Sequence, residues 1–91
     1  MAKFNLNAKN SFKRDAKKNL DLFFTAEWLE VINCLVNRIS MPDKYCDHQL
    51  KGKLKVFRKC HVRPDLLLVY SVNEKLKQIE LIRLASHSDL F

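Results

Sequence analysis

A chain of 91 residues has room for one small domain, and at this size folding buries roughly 60% of the surface the unfolded chain exposes, so one core is all it can build. Hydrophobic residues at 47% and charged ones at 30% exclude the disordered and fibrous classes, and no apolar run reaches the roughly 18 residues of a membrane span. Seventeen Lys and Arg against ten Asp and Glu give a net charge of +7, a balance that favours a polyanion as partner, either nucleic acid or an acidic protein segment.

Residues 3–7, KFNLN, alternate apolar and polar and predict a short first strand. Asn10 or Ser11 is placed to cap a helix whose apolar positions Phe12, Ala16, Leu20 and Phe23 recur at helical spacing. Thr25 is placed to cap a second helix, with Trp28, Ile32, Leu35, Val36 and Ile39 on one face that reads as core. Pro42 resists helical continuation and is expected to end it.

The period then changes. From 53 to 62 the chain alternates, which predicts a strand with Leu54, Val56, Cys60 and Val62 packing and Lys53, Lys55, Phe57, Lys59 and His61 facing a partner. RPD at 63–65 reads as a turn, LLLVYSV at 66–72 as a central strand apolar on both faces, and QIELIRL, after the polar NEK, as the next strand of the hairpin series. The expected architecture is a single α+β domain over 1–91: a two-layer sandwich of an antiparallel sheet on two N-terminal helices, in the order β-α-α-β-β-β. Nothing remains to cover the opposite face of the sheet, which is therefore expected to be polar or functional.

The first residues lack the apolar core of a signal peptide, so a cytosolic location is expected. Cys34, Cys46 and Cys60 are odd in number and form no C-x-x-C pair, which predicts reduced packing residues. His48, His61 and His87 lack the H-x-x-x-H spacing of helical zinc ligands, so no metal and no cofactor is expected. Residues 51–63 carry Lys51, Lys53, Lys55, Arg58, Lys59 and Arg63 with no acid, an expected RNA-binding strip. The first 20 residues carry six cations and one acid.

The chemistry-bearing residues are His48, His61, Asp65, Arg83, His87 and the terminal Phe91. RNA can be cut by its own 2′-hydroxyl if one group removes that proton, another protonates the departing 5′-oxygen and a cation stabilises the crowded phosphorane. Histidine performs either transfer near neutral pH, arginine supplies fixed donors to the phosphate, and no metal is required. Phe91 is able to stack on a base, brace a histidine or plug the end of the core.

The run DHQLKGKLKVFRKCHVRPDLLLVYSV, followed by LIRLASHSDLF, resembles the YafQ branch of the RelE/ParE superfamily of bacterial type II toxins. The shared spacing is D-H-x-L-x-G, then F/Y-R-x-x-H-x-x-P-D, an apolar strand, and R-x-x-x-H-x-x-L-F; the first half matches only in its helix-helix organisation and basic character. The resemblance implies a ribosome-dependent endoribonuclease that cuts messenger RNA in the ribosomal A site and is silenced by a cognate, DNA-binding antitoxin. It places the catalytic set on His48, His61, Asp65, Arg83, His87 and Phe91; the roles we expect of them are His87 as general acid, His48 or Asp65 as general base, His61 orienting or binding phosphate, and Arg83 as the transition-state cation. Leu54 and Leu66 stand where some relatives carry tryptophan, and Ala85 where many carry glycine. A non-catalytic ParE-like toxin with a protein target such as gyrase would share the fold but not the three histidines. A plain RNA- or ribosome-binding module would need the basic strip alone.

Overall fold

Five strands form one sheet, and helices cover one of its faces. The computed structural model describes residues 3–90. In chain order the elements are β1 (Asn5–Ala8), α1 (Asn10–Lys17), a 3₁₀ turn (Leu20–Phe24), α2 (Ala26–Val36), β2 (His48–Gln49), β3 (Arg58–Arg63), β4 (Leu66–Asn73), β5 (Gln78–Ala85) and a one-turn helix α3 (His87–Leu90). The strands lie in the order β1-β5-β4-β3-β2. β3 to β5 are antiparallel, as expected; β2, a two-residue strand absent from the expected β-α-α-β-β-β order, adds to β3 in antiparallel, and β1 joins the edge of β5 in parallel instead of antiparallel.

The predicted first helix is two pieces. α1 starts after Lys9 with no side-chain cap, and it stops at Lys17, where the Asn19 side-chain amide donates to the Asp15 carbonyl at 3.0 Å. The 3₁₀ turn that follows buries Leu22 and leaves Leu20 exposed. Thr25 caps α2 as predicted: its Oγ1 accepts the Trp28 N–H at 3.3 Å. The buried stripe is Trp28, Val31, Cys34 and Leu35, and Phe12 stacks on Trp28 at 6.2 Å while Phe23 meets it edge-on at 4.7 Å. α2 ends well before Pro42. Arg38 takes a left-handed φ of 55°, the Ile39 N–H donates to the Cys34 carbonyl at 2.9 Å and the Arg38 N–H to the Leu35 carbonyl at 3.3 Å, a Schellman closure that turns Ile39 outward.

The predicted strand over 53–62 is also corrected. Only Arg58–Arg63 pairs; residues 50–57 form a loop closed by Leu50 N–H donating to the Phe57 carbonyl at 3.0 Å, with a 3₁₀ turn over Gly52–Leu54 and Gly52 at φ +67°. Leu54 and Val56 are therefore exposed instead of packed, whereas Cys60 and Val62 are buried as expected. The loop also covers part of the face expected to be bare: Leu50, Leu54 and Phe57 gather with Val69, Ile82 and Leu90 around a 180 Å³ cavity. Ala85 sits in ordinary strand geometry, so alanine in place of glycine carries no strain. All three cysteines are free thiols; Cys34 and Cys60 pack, and Cys46 is exposed. Among the described residues no helix is long and apolar enough to cross a membrane.

Two phenols tie the loops to this core. The Tyr45 hydroxyl donates to Glu30 and the Tyr70 hydroxyl to Asp47, which also takes Arg58 Nη2 at 3.0 Å. Burial first, and then the bond to Glu30, push Tyr45 up to about 12 from its ordinary 10.0; burial and then Asp47 raise Tyr70 as well. The folded state thus holds both protons more tightly than the unfolded chain. That stabilisation is fully present below about pH 10 and is lost as pH rises towards about 12. In an alkaline titration neither phenolate is expected to absorb near its ordinary midpoint while near-ultraviolet dichroism remains native; an ordinary midpoint in the native protein would refute both environments.

Candidate active site

Strand pairing decides what the outer face of the sheet displays, because directly paired residues on antiparallel strands point to the same side. His48 pairs with Lys59, Lys59 with Val69, and Val69 with Arg83, so these four form one row across β2, β3, β4 and β5. His61, Leu67 and Ala85 form the next row. The helix-facing rows that alternate with them are Arg58–Tyr70–Leu81 and Cys60–Leu68–Leu84. With strands about 4.8 Å apart, His48 and Arg83 stand roughly 14 Å apart at the backbone and His61 roughly 12 Å from Arg83.

A β-bulge puts Arg83 there. Tyr70 pairs with Leu81 and Val69 with Arg83, which leaves Ile82 as the extra residue of β5. Strict alternation from the buried Ile79 and Leu81 would have sent Arg83 into the core; the extra residue shifts the phase, so Leu84 takes the core position and Arg83 turns outward. Arg83 then meets a carboxylate that sequence reading did not select. Its Nε donates to Asp15 Oδ2 at 2.7 Å and its Nη2 to Asp15 Oδ1 at 3.4 Å, and the hydrogen bond to Asp15 raises the guanidinium's pKa further above its already high value. The signal for Asp15 was present: it is the one acid among the first 20 residues, which carry six cations.

Arg83, Asp65, Arg63, Lys18, Ser86 and Asp89 line a cleft of about 630 Å³ beside the end of the sheet. Asp65 is exposed in the β3–β4 turn, and the ring of His61 points its Nδ1 at the Pro64 carbonyl of the same turn, 3.4 Å away. His48 is exposed on β2 with its Nδ1 2.8 Å from the Cys46 carbonyl, and His87 opens α3 immediately past β5, exposed. Five of the six predicted residues thus surround one face and its end. The sixth, Phe91, lies outside the described residues.

The basic strip divides. Lys59 belongs to the outer row, and Lys51, Lys53 and Lys55 are exposed on the 50–57 loop instead of alternating along a strand. Arg58 points to the helix side, held by Asp47 and Tyr70, so it is not part of the outer face. Arg63 lines the cleft and reaches Asp21 at 3.9 Å. Among the described residues no three His, Cys, Asp or Glu side chains are grouped to hold a metal ion.

Comparison with known proteins adds a decisive observation: residues 4–91 match the family of bacterial toxins of type II toxin-antitoxin systems, YafQ. The chain belongs to the YafQ toxin family. A putative YafQ toxin of Haemophilus influenzae is 33% identical over 75 residues, which is 80% of this chain and 74% of that protein. The mRNA interferase toxin YafQ of Escherichia coli K12 is 40% identical over 55 residues, 60% of this chain and 58% of that one. Among solved structures, a copper-bound mutant toxin from Helicobacter pylori superposes with a TM-score of 0.86 at 43% identity, covering 97% of this chain and 99% of that one. The E. coli DinJ–YafQ toxin-antitoxin complex gives 0.81 at 25% identity, covering 98% of each chain. The YafQ fold is therefore the α+β sandwich described above, and the outer face with its histidines is this family member's candidate site.

Proposed function

We propose that this YafQ toxin is a ribosome-dependent endoribonuclease, and that the outer face of its sheet cuts messenger RNA through the RNA's own 2′-hydroxyl. The observation that carries the reading is the convergence of His48, His61, Lys59 and Arg83 on one face, beside a cleft shared by Arg83 and Asp65. The mRNA interferase name of the E. coli relative supports the same reaction class. His48 or Asp65 takes the 2′ proton, O2′ attacks phosphorus, and the bond from phosphorus to the 5′-oxygen breaks as His87 delivers a proton to that oxygen. The products are a 2′,3′-cyclic phosphate and a 5′-hydroxyl. Arg83 and His61 meet the phosphorane, where negative charge is greatest, and a planar guanidinium matches two phosphate oxygens at once.

A shallow site flanked on one side by the lysines of the 50–57 loop binds single-stranded RNA weakly by itself. We assign the remaining affinity to ribosomal RNA, contacted by Lys51, Lys53, Lys55 and Lys59 through phosphates, in the cytosol. The partner that silences it is an antitoxin whose acidic segment folds over the basic face, in a hetero-oligomer whose antitoxin also carries the DNA-binding end. The test is end-mapping of a messenger incubated with ribosomes and toxin over a range of salt. Cleavage within the ribosome-bound codon is expected, falling steeply with salt because phosphate contacts release counterions, and stopping when the cognate antitoxin is added. Equal cutting of naked RNA, or salt-independent cutting, overturns the ribosomal reading.

A further inference from the structure

β1 covers only half of β5. The pairing of the two strands ends at Ala8 and Leu81, and past that point the free edge of β5 is met by α1 instead of a strand. Lys9 N–H donates to the Leu81 carbonyl at 3.0 Å, the Ser11 hydroxyl donates to the Ile82 carbonyl at 2.6 Å, and Leu84 N–H donates to Asp15 Oδ2 at 2.8 Å. The backbone of Lys9 and the side chains of Ser11 and Asp15 thus satisfy backbone groups that an edge would otherwise leave open. Asp15 does more than cap. The same Oδ2 accepts from Arg83 Nε, so one oxygen fixes both the backbone of residue 84 and the guanidinium of residue 83. The Asp15 side chain is only 10% exposed, against 39% for Arg83, so the carboxylate is the rigid partner and the guanidinium the presented one. Of the five N–H donors of the Arg83 guanidinium, the pair with Asp15 uses Nε–H and one Nη2–H, the side-on edge, which leaves the end-on pair, one N–H each of Nη1 and Nη2, to meet a phosphate.

We infer that Asp15 is a positioning residue of this site, holding Arg83 at one angle so that its remaining donors meet a phosphate without reorganising. The inference rests on the endoribonuclease reading for its consequence, though not for its geometry. An arginine on a strand has several rotatable bonds and sweeps a wide arc; a two-point tie to a buried carboxylate removes that freedom before substrate arrives. The bulge and the tie act together: Ile82 sets Arg83 outside the core, and Asp15 sets its direction.

The test compares full-length wild type, Asp15→Asn, Ser11→Ala, Arg83→Ala and the double variant Asp15→Asn/Arg83→Ala. Asparagine keeps the shape and an acceptor for Leu84 N–H while removing the charge that holds the guanidinium. At saturating ribosomes Asp15→Asn is expected to slow cleavage by about 100-fold, the cost of a misplaced catalytic group, with half-saturation little changed. In the Arg83→Ala background the same substitution is expected to change the rate by less than about twofold, since coupled residues are non-additive. Ser11→Ala, which opens the same edge without touching Arg83, is expected to lower thermal stability and leave the rate alone. The second readout is NMR of ¹⁵N-arginine protein: the Arg83 Nε–H is expected to exchange slowly in wild type and rapidly in Asp15→Asn. Full activity in Asp15→Asn, an additive loss in the Arg83→Ala background, an equal loss in Ser11→Ala, or unchanged Nε–H protection each overturns the inference. If wild type itself cuts no RNA the endoribonuclease reading fails, and the exchange measurement still decides whether Asp15 holds Arg83.

Discussion

Arg83→Ala is expected to abolish toxicity and to lower stability at the same time. Removing one preorganised donor to a transition-state charge costs about 10²- to 10³-fold in rate, or roughly 3 to 4 kcal/mol of barrier. The stability loss arises from the other end of the bond: Asp15, nearly buried, loses its counter-charge and keeps only the Leu84 N–H. Breaking a fully buried pair from one side costs about 3 to 5 kcal/mol. Arg83 is more than a third exposed, so water screens the pair and moves in when it is broken, and we expect nearer 1 to 2 kcal/mol, roughly. For a domain of this size that lowers the melting temperature by roughly 4 to 15 °C. Growth arrest on induction, end-mapping of cleaved messenger and thermal melting of the purified chain check both halves. A variant that melts like wild type would show that the Asp15 pair contributes nothing to the fold; one that still arrests growth would remove Arg83 from the chemistry.

His87→Ala is expected to separate the two effects. A positioned acid or base is worth about 100- to 10,000-fold in rate, whereas an exposed substitution usually changes stability by less than about 0.5 kcal/mol. His87 is exposed on a single helical turn beyond β5, and none of the buried core side chains belongs to α3. Loss of cleavage with an unchanged melt and unchanged ribosome binding is the expected result. Arg83, four positions earlier, differs in being tied to the nearly buried Asp15. If His87→Ala cuts RNA at the wild-type rate, the proton for the 5′-oxygen comes from elsewhere on this face. A melt lowered as far as that of Arg83→Ala would instead place His87 among the residues that hold β5.

The sequence by itself determined whatever depends on local chemistry. Thr25 as a cap, the Trp28 and Leu35 stripe, the turns after Arg63 and Asn73 and the apolar β4 are each legible because a few neighbouring residues set them. The type and approximate order of most elements followed, and so did a set of candidate residues, of which His48, His61 and Arg83 lie in the outer rows of the sheet. Only tertiary structure decided the rest. Residues 53–57 alternate like a strand, yet Gly52 at φ +67° and the Leu50–Phe57 closure make a loop, whose Leu50 and Phe57 line a cavity with Val69 and Ile82 while Val56 stays exposed. The parallel pairing of β1 with β5 joins residues more than 70 positions apart, which no local pattern encodes. Arg83 shows the limit most clearly. Its outward direction depends on an unpaired Ile82 opposite β4, and its fixed angle on an aspartate 68 residues earlier, so the site's central cation is placed by a phase shift and an ion pair that exist only once the sheet and α1 have met.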